Sequence, residues 1–187
     1  MKKLLLSLTL IFTSVTITNA QETKFGIKGA LNLATITAED TEIKVGGAFG
    51  GFVEIKISDK FAIQPEITYS IQGANAKSVD AGFDVNYINI PVMAKFFVTE
   101  KFSLELGPQI GFVTSAKARY EKLSADAKNF INSTDFGINF GMAFDVSENV
   151  NIGFRYNAGL SEVLKNIPDG ENAGKNSVIQ LGLGYKF

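Results

Sequence analysis

Five ionisable residues are each set between hydrophobic or proline neighbours. Glu54 lies between Val53 and Ile55, Glu66 between Pro65 and Ile67, and Lys95 between Ala94 and Phe96. Glu105 lies between Leu104 and Leu106, and Arg155 between Phe154 and Tyr156. Each is five to seven residues from the centre of a short polar segment: Ser58-Asp59-Lys60, Thr99-Glu100-Lys101 or Ser147-Glu148-Asn149. Three carboxylates, an ammonium and a guanidinium at matched distances from their turns can meet at one height and form a salt-bridge network. Other chemistries are thinly supported. The chain has no His and no Cys, which removes Ser-His-Asp and Cys-His catalysis, thiolate metal sites and disulfides. Ser with Lys or Asp remains available, but no such constellation is visible. The expectation is a protein that is not an enzyme, with no catalytic, cofactor-binding or metal-binding residues and no cofactor. Eighteen Lys and Arg against 19 Asp and Glu leave no broad basic field, so no nucleic-acid partner is expected.

The elements that must hold these charges are read from a period of two. Phe61, Ile63, Ile67, Tyr69 and Ile71 alternate with Ala62, Gln64, Glu66, Thr68 and Ser70. Phe136, Ile138, Phe140, Met142 and Phe144 alternate with Gly137, Asn139, Gly141 and Ala143. Eight such runs follow one another from Phe25 to Phe187. Phe52 breaks the pattern of the second, and Met93 and Phe97 blur the fourth. Three tight turns, 58–60, 99–101 and 147–149, alternate with longer links at 35–45, 73–82, 115–133 and 161–175. Eight strands with short turns at one end and long loops at the other predict an all-β fold. The expected form is an eight-stranded antiparallel up-and-down transmembrane β-barrel, with short periplasmic turns and longer extracellular loops. A soluble barrel would turn the large apolar face inward to hold a ligand. The opposite face, rich in Gly and Ala with isolated charges, suits a narrow packed lumen better than a solvated surface. The apolar face is therefore assigned to lipid.

The inward set then holds Lys28, Lys56, Lys95, Arg155 and Lys186 against Glu54, Glu66, Glu105 and Asp145. Charges in so narrow a lumen must pair, so a network around Arg155 is expected to plug the barrel. A gated ion path along the same groups is the functional alternative. Pro65, Pro91 and Pro108 fall within strands, where the missing N–H predicts bulges, above all at Pro91. Tyr69, Tyr87, Tyr156, Tyr185, Phe61 and Phe102 are candidates for aromatic girdles at the membrane interfaces. In the loop 115–133, Tyr120, Leu123, Ala127 and Phe130 recur at helical spacing, and Ser124 is a plausible N-cap. A short helix to about Asn132 is expected there. Asp169-Gly170-Glu171-Asn172 lacks the spacing of a calcium loop and reads as a polar turn.

Residues 1–20 are laid out as a secretory signal peptide: basic Lys2-Lys3, an apolar run from Leu4 to Ile17, and Thr18-Asn19-Ala20 before a cleavage point at Gln21. Residues 21–187 then form one barrel domain. The last strand carries Leu183, Tyr185 and Phe187 on one face and resembles the signal read by outer-membrane assembly machinery.

Two stretches resemble a known family. Phe25-Gly26-Ile27-Lys28-Gly29-Ala30-Leu31-Asn32-Leu33 is similar to the opening pattern of the PorT-like outer-membrane β-barrel domain family of Gram-negative bacteria. Tyr87-Ile88-Asn89-Ile90-Pro91-Val92-Met93-Ala94-Lys95 is similar to its more specific Tyr-x-x-Ile-Pro core. The resemblance covers nearly all of residues 24–187 and implies an eight-stranded barrel in the cell outer membrane; the layout of residues 1–20 predicts export through a Sec-type signal peptide. It implies no single activity and supplies no catalytic residues; some members look like accessories of secretion machinery. The expected function is a small integral outer-membrane protein with a structural or protein-interaction role, as an accessory of a secretion or surface complex. Its expected partners are outer-membrane lipids, the barrel-assembly machinery, and a protein bound through loop 115–133 or the periplasmic turns. The alternatives are a narrow channel or small-solute transporter and, behind it, a secreted lipocalin-like binder of apolar ligands.

Overall fold

The computed structural model describes residues 22–38, 40–165 and 172–187. The signal-peptide reading of residues 1–20 and the turn reading of 169–171 lie outside them. Eight long antiparallel strands follow in chain order: β1 (Thr23–Ile36), β2 (Lys44–Ser58), β3 (Phe61–Ala76), β4 (Ala81–Phe97), β5 (Phe102–Tyr120), β6 (Thr134–Asp145), β7 (Val150–Glu162) and β8 (Lys175–Lys186). Each pairs with the next, and β1 pairs back onto β8 from Gly26↔Lys186 to Ile36↔Asn176. The sheet is a closed eight-stranded barrel.

The alternation dictates which face is which. Phe25, Ile27, Leu31, Ile67, Ile90, Leu106, Phe140, Phe154 and Leu181 are exposed on the outer wall, while Asn32, Glu54, Glu66, Lys95, Asn139 and Arg155 are buried inside. This is the reverse of a water-soluble fold and the arrangement expected where lipid is the solvent. Phe52, the exception in β2, is buried. Its ring occupies the space over Gly26, where a Cβ would come within 2.2 Å of it, so a glycine on one strand admits an aromatic from its neighbour. At Gly107 a Cβ would come within 2.0 Å of the Val92 carbonyl oxygen, so the β4–β5 contact also depends on a missing side chain.

The prolines do not bulge the sheet. Pro65↔Val92, Pro91↔Gln109 and Pro108↔Ile138 all keep the register of the pairs around them. A strand residue gives its N–H to only one neighbour, so a proline deletes one bond and leaves the opposite ladder whole. A one-residue slip would instead drive a lipid-facing row into the lumen. The irregularity in β4–β5 lies higher, where Asn86↔Ser115 is followed by Tyr87↔Val113 and Thr114 is the extra residue. The Thr114 hydroxyl donates to the Asn86 carbonyl at 3.0 Å. Above this bulge the inward positions of β5 change parity, from Val113 to Ala116.

The long-loop end also departs from expectation. Residues 73–82 are mostly strand, since β3 runs to Ala76 and β4 begins at Ala81. In place of a helix from Ser124, the chain turns at Glu121, at φ 51°, and returns as a short strand, Leu123–Asp126, paired with Lys117–Tyr120. Only Lys128–Phe130 forms a single 3₁₀ turn. A helix of under about twelve residues is marginal without packing, whereas the turn extends a ladder already formed. Tyr120, Leu123 and Phe130, three of the four residues at helical spacing, stay exposed.

Candidate functional site

The interior is layered along the barrel axis. Nearest the short turns is a column of ion pairs. Arg155 donates to both oxygens of Glu66 at 3.0 Å and to Glu105 at 2.8 Å. Lys28 approaches Glu66 at 2.9 Å. Lys95 lies 2.7 Å from Glu54 and 3.6 Å from Glu105. Lys186 lies 3.2 Å from Glu54 and 3.0 Å from Asp145. The structure therefore brings Glu54, Glu66, Lys95, Glu105 and Arg155 together, and adds Lys28, Lys186 and Asp145 to them. Lys56 stands apart, paired with Glu22 at 3.2 Å and half exposed at the mouth. Gln64 ties the two halves of the column, accepting from Lys95 at 3.1 Å and donating to Glu66 at 2.8 Å.

These contacts follow from the strand register. Lys95 lies directly opposite Glu105, and Arg155 opposite Gly141, whose missing side chain leaves the guanidinium room to reach across the lumen. The charges alternate in sign along the column, so each buried charge has opposite charges as neighbours, the condition under which burial is tolerated. The space left inside is small. A void of about 30 Å³ lies among Lys28, Gln64, Lys95, Glu105 and Arg155, room for about two water molecules. Below it, the short-turn mouth opens into a cavity of about 480 Å³ lined by Glu54, Asp145, Lys186, Lys24 and Glu100.

Above the charges is an uncharged polar layer that sequence reasoning did not single out. Asn32 donates to Ser70 at 3.0 Å and accepts from Gln180 at 2.9 Å. Across the lumen, Asn157 donates to Asn139 at 3.1 Å, and Asn139 to Gln109 at 3.3 Å. The signal was present in the alternation, where amides recur on the inward face of β1, β3, β5, β6, β7 and β8.

The third layer is apolar and closes the long-loop end. Ile36, Ala74, Val85, Val113 and Ala116 from the strands meet Ile131 and Val163 from the loops. The two loops are joined by the Ile131↔Leu164 bridge, and the Asn132 side-chain amide donates to the Glu162 carbonyl at 2.9 Å. Tyr87 belongs here, which corrects its place among the girdle candidates. It is buried, and its hydroxyl accepts from the Asn176 side chain at 3.0 Å. Its position in β4 has the inward parity of Asn89 and Lys95. The other girdle candidates are outside: Tyr156 and Tyr185 are exposed, Phe61 and Tyr69 half-buried against Phe96 and Phe49, and Phe102 half-buried. Leu183, Tyr185 and Phe187 project outward from β8, with the rings of Tyr185 and Phe187 edge to face at 5.3 Å.

Known proteins match this architecture. The model of the outer membrane protein beta-barrel domain matches residues 4–187. Neisserial surface protein A is similar in structure at a TM-score of 0.57 and 15% identity, over 90% of this chain and all of its own (100%). Ail, the attachment invasion locus protein of Yersinia pestis, solved in complex with the heparin analogue sucrose octasulfate, is similar at 0.52 and 18% identity. That likeness covers 89% of this chain and 99% of Ail. At these identities the likeness is one of fold. No curated protein matches the chain.

Proposed function

The chain belongs to the outer membrane protein beta-barrel domain family, and from that membership we propose that it is a plugged, non-conducting barrel of the outer membrane. Its role is structural or one of protein interaction, carried by surfaces outside the lumen, as an accessory of a secretion or surface complex. The resemblance of residues 25–33 and 87–95 to the PorT-like branch supports this finer placement. The reading assigns no catalytic residue. Leu183, Tyr185 and Phe187 serve as the mark read by the barrel-assembly machinery, and lipid surrounds the outer wall.

One observation carries the proposal: the lumen is filled. Around Arg155 the ion-pair column leaves about 30 Å³ between the open short-turn mouth and the rest of the lumen, and the apolar cap of Ile131 and Val163 closes the opposite end. A channel needs a continuous wet path, and the interior of an eight-stranded barrel is narrow enough for side chains to fill. Planar-bilayer recording tests this. The wild-type protein is expected to stay silent, and steady conductance to require both Arg155→Ala and Ile131→Asp, which opens the apolar cap. Open wild-type channels would overturn the plug and install the alternative, a narrow channel for small solutes.

A further inference from the structure

At the long-loop end the sheet continues as an open ribbon. The pairs Asn75↔Gly82, Gly82↔Arg119 and Arg119↔Ser124 form one row across β3, β4, β5 and the short strand Leu123–Asp126. That short strand is the edge. It pairs with Lys117–Tyr120 on one side, and all four of its residues are exposed. The Ala127 N–H donates to the Ala116 carbonyl at 3.0 Å, which fixes the phase of the ladder. By alternation, the N–H and C=O groups of Leu123 and Ala125 face β5, and those of Ser124 and Asp126 face away. Among the described residues, nothing bonds the backbone groups of Ser124 and Asp126.

The rows ending at this edge specify what would continue them. One is charged and alternates in sign: Asp84 opposite Lys117, and Lys117 opposite Asp126. The Asp126 carboxylate accepts the Lys128 N–H at 2.8 Å and has no cation within ion-pair distance among the described residues. On the other face two rows are apolar. Phe83, Ala118 and Ala125 form one, and Ala81, Tyr120 and Leu123 the next. A free edge recruits an extended chain through its backbone, and the cross-strand rows select the side chains.

We propose that Leu123–Asp126 is the docking edge for an extended segment of a partner protein, which adds as an antiparallel strand. Read from its N-terminus, that segment carries Lys or Arg opposite Asp126, an apolar residue opposite Ala125, any residue opposite Ser124 and an apolar residue opposite Leu123. The inference rests on the reading that this barrel works through its outer surfaces, and it names the surface and the chemistry of the partner.

The test uses the full chain refolded in detergent micelles and a fluorescent hexapeptide, Thr-Arg-Val-Thr-Val-Thr, with binding followed by anisotropy. Saturable binding is expected. Methylating the peptide amides that face the edge should abolish it. Ser124→Pro removes one outward N–H without touching the ladder to β5, and should weaken binding by about three- to tenfold, the worth of one lost hydrogen bond to the added strand. Asp126→Asn keeps the acceptor for Lys128, and should erase a preference of about threefold for Arg over Gln in the peptide, the size of a cross-strand charge pair. Unheated gel mobility checks that each variant is folded. No saturable binding, undiminished binding to folded Ser124→Pro or to the methylated peptide, or a preference surviving in Asp126→Asn would overturn the inference. Silent bilayers without peptide binding would defeat this edge and leave the plugged barrel standing; conducting bilayers with peptide binding would do the reverse.

Discussion

Replacing Arg155 with Met keeps most of the side-chain volume and removes one cation from the buried column. Four cations, Lys28, Lys95, Arg155 and Lys186, now face four anions, Glu54, Glu66, Glu105 and Asp145. The substitution leaves one excess negative charge and takes two bonds from Glu66 and one from Glu105. Removing one partner of a buried pair costs about 3–5 kcal/mol. Glu66 keeps Lys28 at 2.9 Å and Glu105 keeps Lys95 at 3.6 Å, so the expected loss is at the low end, about 3 kcal/mol. With a urea dependence of about 2 kcal/mol per molar, the unfolding midpoint in lipid vesicles should fall by about 1.5 M, read from the unheated gel mobility. The double variant Arg155→Met with Glu66→Gln restores the balance of charge. It should lose about 1–2 kcal/mol less than the sum of the two single variants, the coupling expected of contacting residues. A single-variant loss below about 1 kcal/mol, or a double variant that is simply additive, would refute the reasoning that charge pairing holds this lumen closed.

Two further outcomes follow from the ends of the barrel. Ile131→Asp puts an unpaired carboxylate into the apolar cap, so protease should cut the segment 121–133 while the barrel keeps its unheated mobility; an uncut loop would show that Ile131 does not seal the mouth. Deleting Phe187 removes the exposed edge-to-face partner of Tyr185 and should lower the amount assembled in the outer membrane severalfold without lowering the unfolding midpoint of what is assembled. Equal assembly would remove these aromatics from the assembly signal.

What could be read in the sequence was whatever the alternation fixes by itself. The eight runs, their faces and the inward placement of Glu54, Glu66, Lys95, Glu105 and Arg155 depend only on a period of two and on turn positions. What could not be read depends on contacts between distant segments. Pro91 looked like a break because its missing donor is local, whereas the penalty for slipping register belongs to the whole strand. Tyr87 looked like an interfacial aromatic because it stood at the start of an apolar run; only the continuation of β4 to Ala81 shows that the run begins earlier and that Tyr87 points inward. The helical spacing of Tyr120, Leu123, Ala127 and Phe130 was real but had no partner to bury it, and the hairpin turn at Glu121 prevailed. The cap residues Ile131 and Val163 are ordinary loop aliphatics until the strand ends gather beneath them.

The seam between β1 and β8 sets an order of events. Every other strand of the barrel can find its neighbour through a nearby turn or loop, but Gly26 must meet Lys186, and Asn32 must meet Gln180 across 148 residues of chain. Closing so long a loop carries the largest entropy cost of any pairing here, and contacts of this range form slowly. Until it closes, β1 and β8 are two raw edges, each able to template a stranger. The barrel therefore has a vulnerable interval before it has a stable form, and its yield depends on how well both edges are kept occupied until the ring is complete.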